Sequence, residues 1–155
     1  RRWKSKRWPT KNIMKFIDTV YKNLPKYRIV LLGDEEASVE AERIETFLYP
    51  RPINLCGKTT LADLPHVIKQ LKVFVTPDTA TLHLAQALDV PTIGLFGPTS
   101  PARHTVKSKN LTVFCKKLDC SFCYSPRCKL REKYACMEKI DPEEVFSKVN
   151  EIVRQ

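Results

Sequence analysis

The chain has 155 residues, with 27 Lys and Arg against 17 Asp and Glu, which gives a formal net charge of +10. Its 43% of hydrophobic residues excludes an intrinsically disordered chain, and its length is that of one domain. No apolar run approaches the roughly 20 residues of a membrane-spanning helix. The positive net charge indicates an acidic partner: a nucleotide, a nucleic acid or an anionic membrane surface.

Helical and strand patterns alternate along the chain. Apolar residues recur at helical spacing from Thr10 to Leu24, and Pro25 ends that helix. Further helices are predicted over 36–48, 61–71 and 80–88, and apolar runs predict strands over 28–32, 53–56, 72–76, 91–96 and 111–114. The stretch Asp141-Pro142-Glu143-Glu144 is typical of a capping box and opens a closing helix over about 141–154.

This alternation predicts an α/β fold with a doubly wound, Rossmann-like parallel sheet, because the strands are continuous apolar runs of the kind buried on both faces. We expect a single domain over residues 1–155 with a cysteine-rich excursion at about 115–136. Because the first element is a helix, we expect the sheet to lack its first strand. The abrupt basic start at Arg1 indicates a piece of a longer protein.

Small, polar turns follow four of the predicted strands, at 33–36, 57–60, 77–81 and 97–100. In open α/β sheets, ligands bind beyond the carboxyl ends of the strands, so these turns form the candidate site. The third turn opens a helix, and we expect Asp78 or Thr79 to cap it. The free N–H groups of Ala80, Thr81 and Leu82 are then expected to face an anion such as a pyrophosphate.

Other residues near these turns have two interpretations each. His83 lies one turn into the helix, where a histidine is more often packed in the core. Glu35 and Glu36 follow a strand and can accept hydrogen bonds from ribose, or can simply favour the helix dipole. The tripeptide at 57–59 is not a Walker motif, because Pro52 stands where that motif needs glycine. Lys58 remains a candidate phosphate ligand or loop-stabilising cation.

The basic segment at the start of the chain contains two tryptophans, Trp3 and Trp8. Such a segment can follow a nucleic-acid backbone while its aromatic rings stack on bases. It also adjoins a helix at the ligand edge of the sheet, so it equally suits a phosphorylated small molecule.

Three stretches resemble the ADP-heptose:lipopolysaccharide heptosyltransferases. They are Lys6-Arg7-Trp8-Pro9, Leu55-Cys56-Gly57-Lys58-Thr59-Thr60-Leu61, and the block from Asp78 to Pro101 that includes Asp78-Thr79-Ala80-Thr81-Leu82-His83. The resemblance covers almost all of the chain. It implies the C-terminal, donor-binding half of a two-domain GT-B glycosyltransferase, without its acceptor-binding half.

The family implies an inverting transfer of heptose from ADP-heptose to the inner core of lipopolysaccharide, with no metal or cofactor required. By this resemblance Lys6 and Asp78 are the catalytic residues: Lys6 neutralises the donor diphosphate and Asp78 binds the heptose hydroxyls. The donor phosphates meet the amides of Thr79, Ala80, Thr81 and Leu82 together with His83, while Thr59 and Lys58 lie near the adenine and Glu35 or Glu36 near the ribose. The family usually has glycine where this chain has Ala80, which leaves open another nucleotide-sugar donor.

The resemblance also implies where and with what such an enzyme works. The acceptor, lipid A carrying its core sugars, is expected to bind through the absent N-terminal half, which also supplies the general base. The enzyme is expected in the cytoplasm, in peripheral contact with the cytoplasmic face of the inner membrane. No nucleic-acid partner is expected. The alternative reading is a non-enzymatic nucleic-acid-binding module with a zinc-bound cysteine knuckle.

Five of the six cysteines fall in one stretch, with the spacing C-x4-C-x2-C-x4-C-x7-C from Cys115 to Cys136. A C-x-x-C knuckle with two further cysteines can ligate a tetrahedral structural zinc. Disulfides are a second interpretation, disfavoured in a reducing cytoplasm, and free thiols are a third. The sequence leaves all three open.

Overall fold

A computed structural model describes residues 3–154. A 3-10 turn at Lys4–Lys6 precedes the first helix. The helices are α1 Thr10–Asn23, α2 Glu35–Phe47, α3 Leu64–Lys69, α4 Ala80–Ala87, α5 Pro101–His104, α6 Ala135–Glu138 and α7 Pro142–Arg154. The strands are β1 Val30–Leu31, β2 Ile53–Asn54, β3 Phe74–Pro77, β4 Thr92–Phe96 and β5 Leu111–Cys115. The predicted order of helices and strands is confirmed; the two four-residue helices were missed because they are too short to show a helical period.

Every strand pair is parallel, which confirms the predicted fold class. β1 pairs with β2, and β3, β4 and β5 pair in that order, with Phe74 opposite Thr92 and Thr92 opposite Leu111. Parallel neighbours need crossover connections, and the helices between successive strands provide them. The strands therefore all end at one edge, where the following turns meet.

The two sheets are separate rather than continuous, because β1 and β3 do not hydrogen-bond to each other. Their side chains nevertheless reach the same two apolar layers. Leu31 of β1 and Val75 of β3 pack against one cluster, while Leu32 and Phe74 pack against the other. These side chains are only half-buried. The expected first strand stays a prediction.

Helices cover both faces of the strands, as a doubly wound fold requires. On one face, α1 and α7 contribute Ile17 and Val145 to the larger cluster, against Ile93 and Leu95 of β4. On the other face, Ile68 of α3 packs with Ala85 of α4. These side chains are almost completely buried, and together they hold the strand ends in place.

Local hydrogen bonding corrects the predicted start of α3 and the predicted capping box of α7. Asp63 accepts from both the backbone N–H and the hydroxyl of Thr60, at 2.8 and 2.7 Å, so a turn occupies the predicted first residues of α3. Leu61 is consequently 86% exposed instead of part of a buried stripe. At α7, Asp141 accepts from the N–H of Glu143 at 3.0 Å and Glu144 pairs with Lys116, so the predicted capping box does not form.

Among residues 3–154, no helix has the length and apolar character needed to cross a membrane.

Candidate functional site

The centre of the candidate site is a buried carboxylate at the end of β3. Asp78 is only 5% exposed, although its side chain is an ionisable carboxyl group, and it lies at the edge where the strands end. The Nζ atom of Lys6 donates to Oδ2 of Asp78 at 2.6 Å and to its backbone carbonyl at 3.3 Å. A charge this deeply buried is stable only when it is paired and hydrogen-bonded, and Lys6 meets that requirement.

A second donor reaches the same oxygen from the turn after β4. The hydroxyl of Thr99, itself 1% exposed, donates to Oδ2 of Asp78 at 2.7 Å. Within residues 3–154, Oδ1 of Asp78 takes no hydrogen bond. The arrangement thus holds one carboxylate oxygen rigidly and leaves the other able to accept from a ligand.

The protonation state of Asp78 follows from these contacts. Burial by itself raises the pKa of this carboxyl, but hydrogen bonds from Lys6 and Thr99 lower it. Electrostatic interactions with Lys6 and His104 act in the same direction, and the net pKa of Asp78 lies below its usual value. Asp78 is therefore a carboxylate at neutral pH, able to accept hydrogen bonds but not to donate them.

The helix that follows Asp78 begins with weakly satisfied backbone groups. Thr79 occupies the N-cap position of α4, but its side chain makes no capping hydrogen bond, and Asp78 is not the cap. The N–H of Leu82 donates to the carbonyl of Thr79 at 3.1 Å, so the prediction that this amide is free is wrong. The Leu82 side chain is fully buried against Gly94. The N–H groups of Ala80 and Thr81 remain as the candidate anion ligands.

Three threonine hydroxyls lie together beside this helix start. Thr79 and Thr81 are joined at 2.8 Å, and Thr76 lies 3.2 Å from Thr79 and 3.4 Å from Thr81. A hydroxyl both donates and accepts, so this group can reorient its protons toward a bound anion. Nothing in the sequence spacing singled out Thr76, which is 4% exposed.

His83 lies on the exposed face of α4, so the interpretation of it as a packed core residue is wrong. Leu82 and Ala85 form the buried side of α4, which directs the side chain of His83 away from the core. The side chain is therefore accessible to a ligand at the start of α4.

The turns after β1 and β2 pack against each other. The N–H of Gly57 donates to the carbonyl of Gly33 at 3.0 Å, and a Cβ at Gly57 would lie 3.3 Å from Cα of Glu35. Gly57 has a φ of +71°, a conformation that favours glycine. Asp34 caps α2 by accepting from the N–H of Ala37 at 3.1 Å, and Glu35 and Glu36 follow in the exposed first turn.

Lys58, Thr59 and Glu36 make few contacts. Lys58 is exposed, and its Nζ donates to the carbonyl of Asn54 at 3.1 Å, as a loop-stabilising cation does. Thr59 is half-buried. Glu36 lies 3.9 Å from Arg7, with both side chains largely exposed. Such a surface pair contributes little to stability, but it places Arg7 at the turn after β1 while its neighbour Lys6 reaches the turn after β3.

The second tryptophan of the basic segment, Trp8, is a core residue. Trp8 is 6% exposed, donates from its indole nitrogen to the carbonyl of Ile140 at 3.2 Å, and packs against Phe16. It cannot stack on a base, which contradicts that part of the nucleic-acid interpretation. Trp3 is half-buried beneath the Lys6 ammonium, 4.8 Å from the ring centre. Arg1 and Arg2 lie outside the described residues.

All six cysteines are free thiols in this structure. No three His, Cys, Asp or Glu side chains among residues 3–154 already stand in metal-coordinating positions. Burial raises the pKa of Cys56, of Cys115 and of Cys136, and for Cys136 the nearby Cys120, Cys123 and Cys128 raise it further.

Comparison with known proteins places this chain in a family. The model of glycosyltransferase family 9, described as heptosyltransferase, matches residues 1–134. The chain belongs to glycosyltransferase family 9. That match spans the Lys6 turn, the Asp78 turn and the Thr99 turn.

Curated relatives of this family 9 chain are heptosyltransferases by name. Lipooligosaccharide heptosyltransferase 2 of Haemophilus ducreyi is 27% identical over 156 residues, which covers 96% of this chain and 44% of the relative. The enzyme of the same name from Campylobacter jejuni is 29% identical over 102 residues, covering 65% of this chain and 32% of the relative. The chain thus spans less than half the length of these relatives.

Solved structures show the same fold. The ADP-heptose lps heptosyltransferase II of E. coli superposes with a TM-score of 0.80 at 23% identity, covering 99% of this chain and 44% of that one. E. coli heptosyltransferase WaaC with ADP superposes with a TM-score of 0.73 at 23% identity, covering 96% and 41%. The chain therefore has the fold of the matching part of these structures, and the family match confirms the resemblance noted in the sequence.

Residues of this family 9 chain that sequence reasoning missed act through tertiary contacts. Thr99 was noted only as part of a strand-end turn, yet it is a direct partner of Asp78. Ser5, beside Lys6, donates to the carbonyl of Ser125, and Tyr124 accepts from the N–H of Ser100, beside Thr99. The sequence placed Thr99 in a small, polar turn directly after a strand, which indicates a candidate ligand site, but it did not show that Thr99 bonds to Asp78.

Proposed function

We propose that this chain is the donor-binding part of an inverting heptosyltransferase, which transfers heptose from ADP-heptose to the inner core of lipopolysaccharide. The observation that carries the proposal is the buried Lys6–Asp78–Thr99 cluster beside the start of α4, in a chain of glycosyltransferase family 9. Relatives named as lipopolysaccharide heptosyltransferases, and WaaC structures with ADP and with an ADP-2-deoxy-2-fluoro heptose, support it.

The diphosphate of the donor is proposed to bind between Lys6 and the first turn of α4. The helix N-terminus carries about half a positive elementary charge, and the N–H groups of Ala80 and Thr81 point outward from it. When the bond between sugar and phosphate breaks, negative charge grows on the departing ADP. Lys6 and the helix amides stabilise that charge, so the proposed reaction requires no metal ion or cofactor.

Asp78 is proposed to orient the sugar. Its Oδ2 is held by Lys6 and Thr99, while Oδ1 faces no donor within the described residues and can accept from a heptose hydroxyl. Because the depressed pKa of Asp78 keeps it ionised, that hydrogen bond is charge-assisted and stronger than one between neutral groups. A fixed sugar presents its anomeric carbon to the acceptor in one orientation.

The nucleoside is proposed to lie over the turns after β1 and β2. Glu35 or Glu36 accepts hydrogen bonds from the ribose, and Thr59 and Lys58 lie beside the adenine. Among residues 3–154, the exposed carboxylate of Glu36 makes only a 3.9 Å contact with Arg7, so a ribose can displace that contact at little cost. His83, exposed on α4, is proposed to contact the phosphates.

The acceptor and the general base are proposed to come from outside this chain. Lipid A carrying its core sugars binds through an acceptor domain, and the chain alone binds donor with little turnover. The net charge of +10 favours peripheral contact with anionic phosphates at the cytoplasmic face of the inner membrane, and no nucleic-acid partner is proposed.

The proposal is tested by thermal unfolding of the chain with ADP, ADP-heptose, a UDP-sugar and adenosine. ADP at 100 times its Kd stabilises the folded state by about 2.7 kcal/mol, which raises Tm by about 2–4 °C per kcal/mol. Adenosine lacks the diphosphate and is expected to raise Tm far less. Absence of any shift with millimolar ADP or ADP-heptose would overturn the donor site, and a larger shift with the UDP-sugar would assign another donor.

A further inference from the structure

The segment between β5 and α6 has neither regular secondary structure nor a buried side chain to hold its conformation. Residues 116–134 contain no helix or strand, and none of them is buried. Irregular segments longer than about 12–15 residues are uncommon in compact domains. Where apolar burial is insufficient, a covalent cross-link or a metal ion commonly supplies the missing stability.

Four cysteines are gathered within and beside this segment. Cys120, Cys123 and Cys128 line one cavity of about 220 Å³ together with Ser125 and Lys129. Cys136 lies on α6 directly after Ala135, and Ala135 lines a neighbouring cavity together with Cys120. The other two cysteines are elsewhere: Cys115 lies within β5, and Cys56 is buried against Gly33.

The chemistry of the four sulfurs favours a thiophilic cation. Four thiolates in a tetrahedral arrangement are a typical structural zinc set, and a C-x2-C knuckle such as Cys120 to Cys123 is its usual spacing. Residues 116–139 carry seven Lys or Arg against three Asp or Glu. This excess of four positive charges offsets the negative charge that a zinc tetrathiolate retains.

We propose that Cys120, Cys123, Cys128 and Cys136 bind one zinc ion, which fixes residues 116–134 against the candidate donor site. The side chains do not already form a coordination shell, so binding requires them to turn inward. Cys123 is exposed and the other three are half-buried, which leaves room for that movement. Each thiol releases its proton to water as it ligates, so no oxidant is needed.

The segment hydrogen-bonds to both turns that supply the partners of Asp78, the turn of Lys6 and the turn of Thr99. Beside Lys6, Ser5 donates from its hydroxyl to the carbonyl of Ser125 at 2.6 Å and from its N–H to the carbonyl of Pro126 at 3.4 Å. Beside Thr99, the N–H of Tyr124 donates to the carbonyl of Pro98 at 2.9 Å.

The tyrosine side chain adds a second contact to the turn after β4. The N–H of Ser100 donates to the hydroxyl of Tyr124 at 3.2 Å. Tyr124 directly follows Cys123, so zinc at that cysteine fixes the residues that hold Lys6 and Thr99. The zinc ligands are thus positioning residues for the site. Only this positioning role rests on the proposed function; the zinc assignment stands apart from it.

The first test is metal content after purification with reductant and without chelator. We expect one zinc per chain, lost in Cys123→Ser and retained in Cys123→His, which still offers a zinc ligand. Cys115→Ser is the matched control and is expected to keep the zinc. Absence of metal, iron in place of zinc, or disulfides among the four cysteines would overturn the assignment.

The second test follows hydrogen exchange at the amides of Ser5, Ser100 and Tyr124, without any donor present. Removing the zinc is expected to accelerate exchange at all three by at least tenfold, while amides in β4 stay protected. Unchanged exchange would overturn the positioning role. Because neither readout uses ADP, a zinc-loaded chain that fails to bind ADP would contradict the proposed function alone.

Discussion

The ammonium of Lys6 lies 2.6 Å from Oδ2 of Asp78, and this contact joins the turn before α1 to the end of β3. Lys6 is 22% exposed and Asp78 only 5%. The pair is therefore largely removed from water, where a charge-assisted hydrogen bond is stronger than at the surface. It places a cation at the strand-end edge, where the proposed diphosphate needs one.

Lys6→Met is expected to weaken ADP binding by about 10- to 100-fold, because a hydrogen bond to a charged group contributes about 1.5–3 kcal/mol. Isothermal titration calorimetry measures this directly. Lys72→Met is the matched control, since Lys72 is exposed and precedes β3, at the opposite edge of the sheet. Equal ADP affinities for the two variants would contradict the role assigned to Lys6.

The stability contributed by Asp78 is expected to disappear in acid. Its pKa is lower in the folded state than in the unfolded chain, where it is about 3.9. The contribution is therefore complete above that value and is lost as the pH falls through the folded-state pKa. The difference in unfolding free energy between wild type and Asp78→Asn should shrink from pH 5 to pH 2 in urea titrations.

The same titration has an internal control at Thr99. Thr99→Val removes one hydrogen bond to the carboxylate, so the pKa of Asp78 rises and the acid loss begins at a higher pH. Thr99→Ser keeps a hydroxyl and should behave like wild type. A gap between wild type and Asp78→Asn that does not vary with pH would show that the carboxylate is not stabilised as described.

Gly94→Ala is expected to destabilise the fold by about 1–3 kcal/mol through overpacking. A Cβ at this position would lie 2.9 Å from Cδ1 of Leu82 and 3.0 Å from Cε2 of Phe96, both in the core. Leu82→Val removes the Cδ1 atom, so the double variant should lose less stability than the two single changes added together. Strict additivity in denaturant unfolding would show that this contact does not limit Gly94.

Trp8→Ala is expected to cost about 3–5 kcal/mol of unfolding free energy, because it leaves a cavity in the core and removes the hydrogen bond to Ile140. Tyr49→Ala serves as the aromatic control: Tyr49 is 94% exposed, and its loss should change stability by less than about 0.5 kcal/mol. If the wild-type protein binds single-stranded DNA in a salt-dependent way and folded Trp8→Phe does not, the nucleic-acid interpretation would be supported instead.

Periodicity predicted the helices and strands well where the core selects the side chains. α1 and α7 were found nearly to the residue, since each buries one apolar stripe. The start of α3 was misplaced because the Thr60–Asp63 turn satisfies the backbone locally, which no apolar pattern reports. The interpretation of His83 as a packed core residue was wrong because the burial of Leu82 and Ala85 decides which face of α4 is exposed, and this cannot be deduced from the chemistry of a histidine.

By itself, the sequence determined the α/β order, the parallel sheet and the edge where the polar turns gather, because each of these follows from local apolar spacing. It also carried the family resemblance. Only the tertiary structure decided which polar residues meet: Lys6, Asp78 and Thr99 are far apart in the chain, and their hydrogen bonds form when β3, β4 and the segment before α1 come together. The same holds for Tyr124 and Ser125, whose contacts tie the cysteine segment to that site.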